Sequence, residues 1–92
     1  RASVRDRAWY YLAKIRWQRG FVAEGLDAIA RIEGPLPGAL DEDRVLLHAN
    51  LLLAAGRPAE AAATLRAVPP ASPAAPYARY NLGVALLRGG DG

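Results

Sequence analysis

Glycines at 20, 56 and 90 divide this 92-residue chain into nearly equal lengths, the steps from 20 to 56 and from 56 to 90 being 36 and 34 residues. A period in the range of roughly 20–50 residues restricts a chain to repeat architectures, because one short hairpin cannot bury its apolar face alone and must be covered by its neighbours. Aligned on those glycines, Trp9-Tyr10-Tyr11-Leu12-Ala13 falls over Val45-Leu46-Leu47-His48-Ala49 and over Arg79-Tyr80-Asn81-Leu82-Gly83. Glu24-Gly25 likewise falls over Glu60-Ala61. The unit itself reads most clearly from Ala8 to Ile29. Apolar residues recur there at Trp9, Leu12 and Ala13, then at Val22, Leu26 and Ile29 beyond Gly20, the spacing of two helices folded back on each other.

This arrangement of large and small residues resembles the tetratricopeptide repeat, and the resemblance covers nearly the whole chain as two repeats and the first helix of a third. The small residues Ala13, Ala49, Gly83, Gly25 and Ala61 let paired helices approach closely while large neighbours fill the gaps. Four positions depart from the family pattern: Arg16 stands where an aromatic is expected, His48 where Leu is, Arg79 where Trp is, and Gly25 where Ala is. The resemblance implies an all-α fold of antiparallel hairpins stacked as a right-handed solenoid. Repeat 1 would span about 6–37, repeat 2 about 38–71 and a half repeat about 72–92, in a single partial array.

Five helices are expected, over about 6–19, 22–33, 39–55, 58–68 and 73–88. In the first, Trp9, Leu12, Ala13 and Ile15 are assigned inward, and Tyr10, Tyr11, Lys14, Trp17 and Gln18 to other faces. Gly20 stops that helix, being tolerant of the left-handed conformation. Gly34-Pro35-Leu36-Pro37-Gly38 breaks the second and is two residues longer than the period needs, which predicts a looser step between the first two repeats. The third helix is apolar almost all round and belongs in the middle of a stack. Pro58 opens the fourth, Pro69-Pro70 ends it, and Ser72-Pro73 supplies a cap and a first-turn proline for the fifth. The chain opens at Arg1 and stops at Asp91-Gly92, where another helix is expected, so it reads as part of a longer array.

Cysteine is absent, which removes disulfide and thiolate-metal chemistry. No apolar run approaches the 18 or so residues of a membrane span. Eleven arginines to one lysine point to a GC-rich bacterial coding sequence, with cytoplasm and periplasm both open as compartments. His48 has no second imidazole, so it is assigned to packing and not to a metal or nucleophile site. Asp41, Glu42 and Asp43 open a helix, where consecutive acids point apart and complement the dipole, and are not assigned to a cation site or an acid pair. No phosphate-binding glycine motif is present. No catalytic, cofactor or metal residue is assigned, and the chain is read as a non-catalytic scaffold.

The richer surface is basic and aromatic: Arg1, Arg5, Arg7, Lys14, Arg16 and Arg19 are interleaved with Trp9, Tyr10, Tyr11 and Trp17 against Asp6 alone. The pattern reads equally as a ligand surface or as Trp9 in the core, Trp17 and the tyrosines against a neighbouring repeat, and arginines on a solvated convex face. In the resembling family the first helix of each hairpin lines a concave groove for an extended peptide or partner helix. Carried over by position, that groove would be lined by Arg7, Tyr10, Lys14 and Trp17, then Asp43, Leu46, Asn50 and Leu53, then Tyr77, Tyr80, Val84 and Arg88. Asn50 matches a position where the family uses an amide to hold a peptide backbone. The family's carboxylate clamp is missing, since Tyr10, Lys14, Leu47, Tyr77 and Asn81 occupy its places. The expected partner is another protein or peptide, with self-association through the unpaired last helix as a further expectation. Nucleic-acid binding is the rival, drawn from the pI near 9.8, and it is disfavoured by a net charge of only +3 with no lysine run. An accessory array of a larger enzyme is the other alternative.

Overall fold

A computed structural model of the chain describes residues 2–90. Five helices follow one another: α1 (Ala2–Gln18), α2 (Val22–Ala30), α3 (Leu40–Ala54), α4 (Pro58–Leu65) and α5 (Ala75–Gly90). The Cα atoms span 43 × 31 × 19 Å, a thickness that fits two layers of helices. Consecutive helices pack as neighbours, and α3 touches all four others, so α1, α3 and α5 form one layer and α2 and α4 the other. Gly20 and Gly56 turn the two hairpins with φ of 81° and 76°, a conformation that a Cβ would strain. Gly90, which the period pairs with them, is the last helical residue of α5.

The core lies in two clusters that share α3. Leu47 and Leu51 face Tyr10, Ala13, Ala28, Ile29 and Leu36, while Ala49 and Leu52 face Ala61, Ala62, Leu65, Ala78 and Ala85. A helix buried on two sides is what the nearly all-round apolar sequence of the third helix requires. The inward face of α1 is only partly the expected one: Ala13 is fully buried and Trp9 packs against the core as assigned, but the face is shifted. Tyr10 is buried at 4% exposure and Trp17 packs against the core, whereas Ile15 is 49% exposed. Ala13 and Ile15 are two residues apart, about 200° around a helix, and cannot both face the core; Asp6, Tyr10, Ala13 and Trp17 at steps of four, three and four can.

The linker between α2 and α3 is pinned, not loose. α2 ends at Ala30, three residues before the expected end, because the N–H groups of Glu33 and Gly34 turn to donate to the two carboxylate oxygens of Asp6, each at 3.1 Å. Leu36 enters the core at 4% exposure and its N–H donates to Asp41 at 3.0 Å. The two extra residues therefore bring a leucine into the core. At the other junction, Ser72 Oγ accepts from the Ala74 N–H and donates to Glu42, which holds Pro73 and Ala74 in a turn and starts α5 at Ala75 instead of 73.

His48 sits half-buried on α3. Burial first, then the nearby Arg44 and Arg57 charges, lower its pKa, with Glu60 opposing. The unfolded chain therefore takes up that proton before the folded one does. The imidazole's effect on stability is nil well above its ordinary pKa of about 6.5 and becomes destabilising as pH falls through that value. Thermal melts should show a drop in midpoint between about pH 7 and pH 5 that is shallower in His48→Leu, the residue expected there. Identical slopes in the two proteins would contradict this account.

Candidate partner-binding groove

The layer formed by α1, α3 and α5 presents three depressions in a row. One lies between α1 and α3 and is lined by Tyr10, Lys14, Trp17, Gln18, Asp43, Leu46, Leu47 and Asn50. A second lies where α3 and α5 begin, between Asp43, Glu42, Leu46, Ala74 and Tyr77. The third lies towards the helix ends, between Trp17, Asn50, Leu53, Tyr80, Asn81, Val84 and Arg88. Trp17 and Asn50 are common to the first and third, and Asp43 and Leu46 to the first and second, so the depressions join into one surface. Such continuity follows from helices that run the same way: the early residues of α3 and α5 meet each other, as do the late ones.

Eleven of the twelve candidate groove residues line this surface, namely Tyr10, Lys14, Trp17, Asp43, Leu46, Asn50, Leu53, Tyr77, Tyr80, Val84 and Arg88. Arg7 lines none of the three depressions. Tyr10 forms part of the floor and offers a partner little area; burial, reinforced by the Asp43 carboxylate and Tyr11, pushes its hydroxyl pKa up, so it stays protonated as a donor. Tyr77 and Tyr80 stand at the other extreme, 68% and 73% exposed.

The acids that open α3 divide their work. Asp41 accepts from the Leu36 N–H and from Arg44; burial works to raise its pKa, but those donors outweigh it and hold the carboxyl low. Glu42 accepts from Ser72, and Asp43 faces the groove. Among the described residues no group of three His, Asp or Glu side chains is placed to hold a metal ion, and no helix is long and apolar enough to cross a membrane. The groove's lining offers aromatic faces, amides and a few charges.

A comparison with protein families matches residues 46–92 to the tetratricopeptide repeat. The chain belongs to the tetratricopeptide repeat family. Tetratricopeptide repeats are protein–protein interaction modules and the family is typically a non-catalytic scaffold. The match opens within α3 and takes in α4 and α5; the α1–α2 hairpin that precedes it has the same helix–glycine–helix plan. No curated protein and no solved structure matches the chain.

What the sequence missed lies beside the groove. Asp6 appears in the sequence as a lone acid in a basic stretch, yet it organises the end of α2. No local cue announces it: the end of a helix leaves carbonyls unpaired, and it is the turn of the linker after α2 that aims the Glu33 and Gly34 N–H groups at Asp6.

Proposed function

We propose that the α1–α3–α5 groove of this tetratricopeptide protein binds an extended peptide segment of another protein and performs no catalysis of its own. The observation that carries this reading is the continuity of the surface around Asn50, which lies between Trp17 on α1 and Tyr80 on α5. An amide at that point can donate to and accept from a peptide backbone, and the flanking aromatic faces take its side chains at low entropic cost. Arg7 stands outside the proposed contact set; the other eleven belong to it.

Salt separates this reading from nucleic-acid binding. A groove of amides and aromatics loses little affinity between about 50 and 200 mM salt, whereas a surface neutralising several phosphates loses orders of magnitude by counterion release. Fluorescence titration of Trp17 and Trp9 with peptide and with single-stranded RNA, each across that salt range, should show peptide binding with a shallow slope. Tight RNA binding with a steep slope, lost in Lys14→Ala, would overturn the proposal.

The same protein is proposed to self-associate weakly through α5, where Leu86 and Leu87 are 48% and 77% exposed. Light scattering should show concentration-dependent mass that Leu86→Glu removes. A monomer at the highest concentration reached would refute it.

A further inference from the structure

The groove holds charges that the fold leaves unused. Asp6, Asp27, Asp41, Glu42 and Glu60 each accept a hydrogen bond from another group of the chain. Asp43, Lys14 and Arg88 line the groove, are exposed, and enter no ion pair among the described residues. Their signs are sorted along the helices. Asp43 stands where α3 and α5 begin, beside Glu42 and Tyr77. Lys14, one repeat before Asn50, lies level with the middle of α3, and Arg88, one repeat after Ala54, lies level with its end. From residue 43 to residue 54 a helix rises about 16 Å, too far for the opposite charges to meet. This surface stays open within an array: α3 has α1 on one side and α5 on the other, yet Asp43 and Ala54 are exposed while its stacking residues Leu47 and Leu51 are buried.

On the reading that the groove holds a peptide, we infer that it selects a segment of mixed charge: a Lys or Arg beside Asp43, an Asp or Glu beside Lys14 and Arg88, and apolar residues between them. The levels of Lys14 and Arg88 lie about 10 and 16 Å along the helices from Asp43, and an extended chain advances roughly 3.3 Å per residue, so the two charges stand about three to five residues apart. The cation also meets the exposed ring of Tyr77, and the Arg88 guanidinium can hold a carboxylate through two parallel N–H bonds. The net charge of +3 would by itself favour a wholly acidic segment. Such a segment sets one of its carboxylates against Asp43, and a wholly basic one sets a cation against Lys14 and Arg88. Like charges brought together at an interface reject a partner more strongly than matched ones reward it.

The test uses synthetic peptides with one apolar core and two charged positions about four residues apart, filled as Lys and Glu in either order, as Glu twice, as Lys twice, or as Gln twice. The better of the two mixed peptides should bind about tenfold or more tighter than either like-charged one, as an attractive contact replaces a repulsive one. Asp43→Lys should transfer the preference to the Glu–Glu peptide. Lys14→Glu with Arg88→Glu should transfer it to the Lys–Lys peptide, a gain of binding that a misfolded protein could not produce. Asp27→Lys makes the same change of net charge on α2 and should leave the mixed peptide preferred. Preference of wild type for the Glu–Glu peptide, an unchanged order in the groove variants, or the same transfer in Asp27→Lys overturns the inference. A Gln–Gln peptide that binds as tightly as the mixed ones and shifts the Asn50 amide overturns this inference alone and leaves the peptide groove standing. If no peptide, charged or neutral, shifts the amides around Asn50, both fall.

Discussion

Leu51→Ala is expected to lower the unfolding free energy by about 2–5 kcal/mol, the range for truncating a buried leucine whose cavity cannot collapse. Leu51 is the largest fully buried side chain, and it sits where α3 meets the first hairpin. A Cβ built on Gly25 would lie 2.8 Å from Leu51 Cδ2 and 3.4 Å from Cδ1, so the glycine is the space that Leu51 fills. The two positions must then be coupled. In wild type, Gly25→Ala pushes on Leu51 and forfeits part of the roughly 1 kcal/mol that alanine gains over glycine in a helix. In Leu51→Ala the added methyl enters vacated space, so the double variant should be more stable than Leu51→Ala alone by at least that amount. Urea titrations of the four proteins measure the cycle. Effects that add within about 0.5 kcal/mol would mean that the two residues do not touch.

Asp6→Ala should cost about 2–4 kcal/mol, because it leaves two part-buried backbone donors without their acceptor. Asp6 is 3% exposed and receives both Glu33 and Gly34. Without it the end of α2 has no acceptor, and the approach to Leu36 loosens with it. Asp6→Asn keeps one acceptor oxygen and should fall between the two. Hydrogen exchange gives the local readout: the amides of Glu33 and Gly34 should exchange much faster in Asp6→Ala while those of α4 change only with global stability. An alanine variant that melts like wild type with both amides still protected would contradict this role.

The helices, their order and their hairpin turns were legible because each rests on local chemistry: Gly20 and Gly56 at positive φ, Pro58 in a first turn, and apolar spacing that repeats every 34 to 36 residues. The groove was legible for a related reason. Residues at steps of three and four on α3, from Asp43 through Leu46 and Asn50 to Leu53, must share a face, and the lining of the depressions contains all four. What escaped is long-range. Asp6 is 27 residues from Glu33 and Ser72 is 30 from Glu42, and no local pattern announces either pair. The face of α1 was misassigned because Tyr10 and Ile15 are both apolar enough for a core. The choice between them is made by α2 and α3, which pack on the Ala13 side. Gly25 departs from its family's pattern because Leu51 occupies the missing methyl's place.

A peptide in the groove centred on Asn50 would be seen directly by the residues it perturbs. Selection from a random linear peptide library, followed by amide chemical-shift mapping of the bound complex, tests it whatever the natural partner is. The predicted result is a set of shifts running from Lys14 and Trp17 through Leu46, Asn50 and Leu53 to Tyr80 and Val84, with affinity reduced about tenfold or more in Trp17→Ala and in Asn50→Ala, as for anchor residues at an interface centre. Peptides whose shifts fall on α2 and α4, and which bind both variants as tightly as wild type, would contradict it.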